Sequence, residues 1–128
     1  MSHARAPSQR MLRAGELIRH ALAEIFLRGE TNDPDLGKLA PTVVEVQISP
    51  DLKIATAYVR TLFAGKEELM MEALHKNRKY IRGLMAPKLG MKYTPDVRFR
   101  IDTALDYANK IDEILRKPEV QQDLKKED

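Results

Sequence analysis

Six cations between positions 76 and 92 are the chemically most active feature of this sequence: Lys76, Arg78, Lys79, Arg82, Lys88 and Lys92. Together with Arg98 and Arg100 they face a single acid, Asp96, so residues 76–100 carry +7 in a chain whose net charge is +3. The other segments dilute that block: residues 1–30 carry +2, while 31–75 and 101–128 carry −3 each. Asymmetry of this kind speaks to partners rather than to fold, and phosphate-rich partners come first. Lys and Arg neutralise phosphates and release their counterions, so the expected chemistry is salt-dependent binding to a nucleic-acid backbone. A protein–protein adaptor is the alternative, with the same basic helix face docking an acidic partner.

Constellations for catalysis are missing. Gly65-Lys66 lacks the upstream glycine and following Ser or Thr of a P-loop, and neither G-x-G-x-x-G nor G-x-S-x-G occurs. His3, His20 and His75 lie far apart, so a shared metal site is not expected. Asp102 and Asp106 stand four apart and suggest a metal-dependent nuclease at most. The better reading is that Asp102 or Thr103 caps a helix, with Asp106 favourably placed in its first turn. Cysteine is absent, which excludes disulfides, thiolate zinc sites and cysteine nucleophiles. The sequence thus predicts a non-enzymatic protein with no catalytic residues, no metal and no cofactor.

A chain of 128 residues, 43% hydrophobic and 32% charged, fits one domain with a modest core. No apolar run approaches the ~18 residues of a membrane span, and MSHARAPSQR has no apolar region of a secretory signal. A cytoplasmic protein is expected, and nothing demands more than a monomer.

The cations need a scaffold, and hydrophobic periodicity supplies one. Residues 1–8 read as a flexible leader with Ser8 as an N-cap. From Gln9 to about Leu27, Met11, Leu12, Gly15, Ile18, Ala21, Leu22, Ile25 and Phe26 recur at three and four, one stripe of an amphipathic helix. Arg10 and Arg13 point away from that stripe, as flanking contacts for the basic block. Gly29 closes the helix, and Thr31–Gly37, dense in turn residues, reads as loop.

Thr42–Ser49 alternates as a strand, with Val44, Val46 and Ile48 on one face and Glu45 and Gln47 on the other. After the Ser49-Pro50-Asp51 turn, Ile54–Phe63 forms a second strand, so the two make a hairpin with Ala55, Ala57 and Val59 on one face. A long helical pattern then starts near Lys66. Leu69, Met70, Ala73, Leu74, Ile81, Leu84 and Met85 occupy one arc, and His75, Lys76, Arg78, Lys79 and Arg82 the other. Asn77 interrupts the apolar arc. A buried amide needs hydrogen-bond partners, and a break in the helix frees backbone groups for it. The spacing therefore predicts a kink at Asn77–Lys79, with the second helix ending or bending near Pro87. The third strand is Val97–Asp102, and a last helix runs from Thr103 to about Lys117. The polar tail, residues 118–128, reads as disordered. The fold class is α+β, a three-stranded sheet with helices on one face.

Four segments taken together resemble the ribosome-binding factor A family: RMLRAGELIRHALAEI, VEVQISPDLKIATAYV, ALHKNRKYIRGLMAPKL and KYTPDVRFRIDTALDYANKIDEIL. The resemblance runs from about Arg10 to Leu115. It implies a type II KH-like domain over residues 9–117, ordered α-β-β-α-α-β, with an Ala-x-Gly kink where KH domains carry Gly-x-x-Gly. That motif falls on Asn77-Arg78-Lys79, a departure at both defining positions. The implied role is in ribosome biogenesis: binding 16S rRNA on free 30S subunits and their precursors and supporting rRNA processing at the 5′ end. It further implies a functional link to a ribosome-dependent GTPase that assists release, and a part in cold adaptation. The RNA-binding residues expected are Lys76, Asn77, Arg78, Lys79, Arg82, Lys88 and Lys92, flanked by Arg10 and Arg13.

Overall fold

The structure, a computed structural model, describes residues 6–103. The helix expected from Thr103 to about Lys117, with Asp106, and the tail from position 118 lie outside the described residues, as do residues 1–5 of the leader.

Helix α1 spans Gln9–Leu27, as expected. Ser8 is extended, and its Oγ accepts the N–H of Met11 at 3.1 Å, satisfying one of the donors that every helix start leaves free. The stripe Ala14, Gly15, Ile18, Ala21, Leu22 and Ile25 is buried. At the other end Gly29 adopts φ +65°, letting the N–H of Glu30 reach back to the Ile25 carbonyl at 3.0 Å. Only a left-handed residue closes a helix this way, and glycine adopts that conformation without strain.

The segment expected as loop at Thr31–Gly37 instead contains a second helix, α2, Pro34–Leu39. Its turn-forming residues serve as helix punctuation. Oδ1 of Asp33 accepts the N–H groups of Asp35 and Leu36, and Pro34 follows with its φ already helical. Burial of Leu36 and Leu39 against the core holds this short helix in place.

Strands β1 (Thr42–Ile48), β2 (Ile54–Arg60) and β3 (Asp96–Ile101) form one sheet in the order β1-β2-β3. The hairpin is antiparallel, and β3 joins β2 in parallel, a pairing that requires a crossover between them. The hairpin turn is tied by Ser49, whose Oγ donates to Asp51 at 2.6 Å and accepts the Ile54 N–H at 3.0 Å. Expected alternation fails at one point in β1. A bulge between Val43 and Glu45 leaves Val43 buried and Val44 39% exposed, so Val44 does not share the inner face with Ile48. Strand β2 also stops earlier than expected. The Thr61 hydroxyl donates to the Leu39 carbonyl at 2.8 Å, and Leu62 and Phe63 are exposed beyond it.

The crossover is the long helical pattern, and it is broken where Asn77 interrupts the apolar arc. Helix α3 spans Glu67–Lys76 and α4 spans Arg78–Leu89. Met70, Ala73, Leu74, Ile81 and Met85 are buried; Leu84 is half-buried and Leu69 is exposed. Helix α4 continues through Pro87 and ends at Gly90, φ +62°, two residues later than the proline alone suggests. The helices cover the sheet face bearing Ala55, Ala57, Val59, Val97 and Phe99, with the Phe26 and Phe99 rings 6.5 Å apart at their centroids. Among the described residues the architecture is α+β, with the expected α-β-β-α-α-β order interrupted only by short α2.

Candidate nucleic-acid interface

The break at Asn77 needs no special backbone. Its φ of −95° and ψ of 6° lie in the bridge region, which non-glycine residues adopt. Lys79, where the resemblance expects glycine, lies within α4 without a positive φ, so no glycine is required there. The Asn77 side chain is half-buried and both amide protons are used. Nδ2 donates to the Ala73 carbonyl at 2.8 Å and to Oδ2 of Asp33 at 2.9 Å. These bonds are the partners that an amide in an apolar arc requires. They also fasten the start of α2 to the junction of α3 and α4. Because Asn77 gives no side-chain cap, the first-turn N–H groups of α4 at Arg78, Lys79 and Tyr80 are left without an intrahelical acceptor.

Around this break the expected cations separate into groups. Lys76 and Lys79 are exposed and Arg78 is half-buried. Arg82 is exposed, and its guanidinium donates twice to the Thr94 carbonyl, at 2.7 and 3.1 Å, which holds the α4–β3 loop alongside α4. In that loop the Lys92 ammonium lies 5.6 Å from the centre of the Tyr93 ring. Lys76, Arg78, Lys79, Arg82 and Lys92 are therefore carried by the break, by α4 and by the loop tied to it.

Lys88 is different. Its ammonium lies 3.2 Å from Glu24 and 3.2 Å from Glu30, and its side chain is only 21% exposed. The Glu30 carboxylate, and then that of Glu24, raises the Lys88 pKa. Its charge is matched in the seam between α1 and α4 rather than offered to solvent. Arg10 and Arg13 are exposed on the first half of α1, and neither makes a hydrogen bond or ion pair with the side chains at the break. Arg98 and Arg100 alternate with the buried Val97 and Phe99, so they lie on the sheet face opposite the helices. The +7 segment is thus divided between two surfaces.

Asp33 escaped the sequence reading because its segment reads as loop; the Asp-Pro pair, N-cap before first helical residue, is the signal that identifies it. Its carboxyl sits below its ordinary value, chiefly through the Asn77 amide; partial burial opposes the shift, and the N–H groups of Leu36 and Asp35 and nearby Lys76 add to it. Among the described residues no cluster of three His, Asp or Glu side chains is placed to hold a metal ion, and no helix is long and apolar enough to cross a membrane.

Comparison with known proteins agrees with this architecture. The family model for ribosome-binding factor A matches residues 10–115. The ribosome-binding factor A of Sinorhizobium fredii is 53% identical over 120 residues, covering 93% of this chain and 89% of the relative. That of Bradyrhizobium diazoefficiens is 48% identical, with 94% of this chain and 83% of the relative covered. Among solved structures, the crystal structure of ribosome-binding factor A from Thermus thermophilus aligns with a TM-score of 0.60 at 25% identity. That alignment covers 71% of this chain and 94% of that one. The solution NMR structure of a Thermotoga maritima relative gives 0.53 at 26% identity, over 74% and 89% of the two chains.

Proposed function

Because the chain belongs to the ribosome-binding factor A family, we propose that it binds 16S rRNA on free 30S subunits or their precursors as a cytoplasmic, non-catalytic assembly factor. Support comes from the family name, which is a ribosome-binding one, and from the geometry of the break. In KH domains a helix–loop–helix clamps the backbone of about four nucleotides. Here α3 and α4 supply the same elements with Asn77 at the junction. Uncapped N–H groups at the start of α4 suit a phosphate oxygen, and exposed Lys76, Lys79 and Arg82 surround them with positive charge.

The observation that carries the reading is the coincidence of break and cations: the helix interrupts itself beside exposed Lys76 and Lys79. Arg78 and Lys92 extend that surface, and Arg10 and Arg13 are its outlying contacts. Lys88, matched by two carboxylates, is left out of the contact set. Support for maturation of the rRNA 5′ end, and release assisted by a ribosome-dependent GTPase, belong to the same proposal.

The test is co-sedimentation in a low-salt sucrose gradient. The wild-type chain should travel with free 30S subunits, and nuclease should release it. Reversing Arg78, Lys79 and Arg82 to Glu should abolish that association while circular dichroism remains unchanged. A folded triple variant that still travels with 30S subunits would reject the site, and a complex resistant to nuclease would favour the acidic protein partner.

A further inference from the structure

The α4–β3 loop carries an aromatic ring that the phosphate contacts leave unused. Tyr93 is 71% exposed, although a large amphipathic ring of this kind buries its face where it can. Its position is fixed from both sides. The next residue, Thr94, has its carbonyl held by two bonds from Arg82, and Pro95 beyond it is fully buried. On the other side the preceding residue places its ammonium 5.6 Å from the ring centre. An exposed aromatic is therefore carried on a loop that Arg82, from the helix that begins at the break, ties down through Thr94, with the Lys92 ammonium beside its ring.

We infer that Tyr93 is a base-stacking contact, which makes the ligand of this surface a single-stranded RNA segment whose bases are splayed away from their backbone. The inference rests on the rRNA-binding reading above and adds a base contact to a site otherwise made of cations. Every nucleobase presents a π-face, so a ring in this position accepts bases with little regard to identity. The neighbouring cations fix the backbone from which the base projects. Duplex RNA keeps its bases stacked on one another and its faces closed, so it engages the same cations without the ring. Tyr93 is thereby a discriminator between unpaired and paired RNA, while Arg82 and Lys92 are not.

The chain contains no tryptophan, so Tyr93→Trp introduces a unique fluorophore at the position in question. The full-length protein is titrated with a mixed-sequence single-stranded RNA oligonucleotide and with the same oligonucleotide annealed to its complement. Expected are quenching of the introduced indole by the single strand, and little change with the duplex. Tyr93→Ala should bind the single strand about ten-fold more weakly, with an unchanged salt slope and unchanged duplex affinity, and Tyr93→Phe should behave as wild type. Equal single-strand affinity for Tyr93→Ala and wild type would overturn the stacking contact while leaving the phosphate site standing. Failure of the wild-type chain to bind either RNA would overturn the underlying reading and this one with it.

Discussion

Oδ2 of Asp33 accepts a hydrogen bond of 2.9 Å from Nδ2 of Asn77, joining two side chains 44 residues apart. One carboxylate therefore performs two tasks, since its other oxygen caps α2. The break between α3 and α4 is stabilised by a contact that no inspection of α3 and α4 alone would reveal. It also places a negative charge at the break itself, bonded to the Asn77 amide and near Lys76.

A pH dependence follows. The folded pKa of Asp33 is depressed, so the carboxyl contributes stability above its ordinary value of 3.8, and that contribution is lost as pH falls through the lower folded value. Carboxyl-carbon NMR titration should give Asp33 a midpoint below the ordinary one. In Asn77→Ala the largest cause of the lowering is gone, and the midpoint should rise above that of the wild-type protein. Identical midpoints in the two proteins would show that the amide does not hold the carboxylate.

The β1 bulge makes adjacent valines unequal. Val43 is 7% exposed and Val44 39% exposed, although strict alternation assigns Val44 to the core. Val43→Ala should destabilise by roughly 2 kcal/mol through lost burial and a cavity. Val44→Ala should change stability by no more than about 0.5 kcal/mol. Urea denaturation of both variants reads the difference, and a larger loss at position 44 would mean that the bulge is misplaced.

Two helical glycines also part company. A Cβ on Gly15 would lie 2.8 Å from the Val46 carbonyl oxygen, so α1 approaches β1 too closely for any side chain. Around Gly83 in α4 nothing lies within 4 Å of such an atom. Gly15→Ala should therefore cost about 1–3 kcal/mol by overpacking. Gly83→Ala should stabilise by up to about 1 kcal/mol, from helix propensity. Thermal melts of the pair check both signs, and a stabilised Gly15→Ala would contradict the close approach.

Much of this was readable from residue order because it depends on near neighbours. The α1 stripe, the Ser8 cap, the hairpin and the break at Asn77 all follow from spacings within one or two turns. What escaped reading depends on distance or on double meaning. Thr31–Gly37 looked like loop because Asp and Pro favour turns and helix starts alike, and only buried Leu36 and Leu39 distinguish the two. The bulge adds one residue to a period of two, which no local pattern announces. Charge clustering located the candidate site as a segment but not as a surface: alternation along β3 carries Arg98 and Arg100 to the far side of the sheet. Lys88 depended on partners 64 and 58 residues away.

Lys79 and Lys88 are formally equivalent cations nine positions apart, and their surroundings predict opposite phenotypes. Lys79 is exposed beside the break, so each phosphate it neutralises contributes to the counterions released on binding. Lys79→Ala should weaken RNA binding, lower the log–log salt slope by about 0.7, the value for one contact to a single strand, and leave the melting temperature unchanged. Lys88 holds Glu24 and Glu30 together at the α1–α4 seam. Lys88→Ala removes the ammonium that joins Glu24 to Glu30 and leaves Glu24 with Arg28 alone, so it should lower the melting temperature while the salt slope stays at the wild-type value. Filter-binding isotherms between low and moderate salt, paired with thermal melts, read both quantities on the same samples. A Lys88→Ala slope reduced as much as that of Lys79→Ala would return Lys88 to the RNA contact set and remove the reason for separating the two.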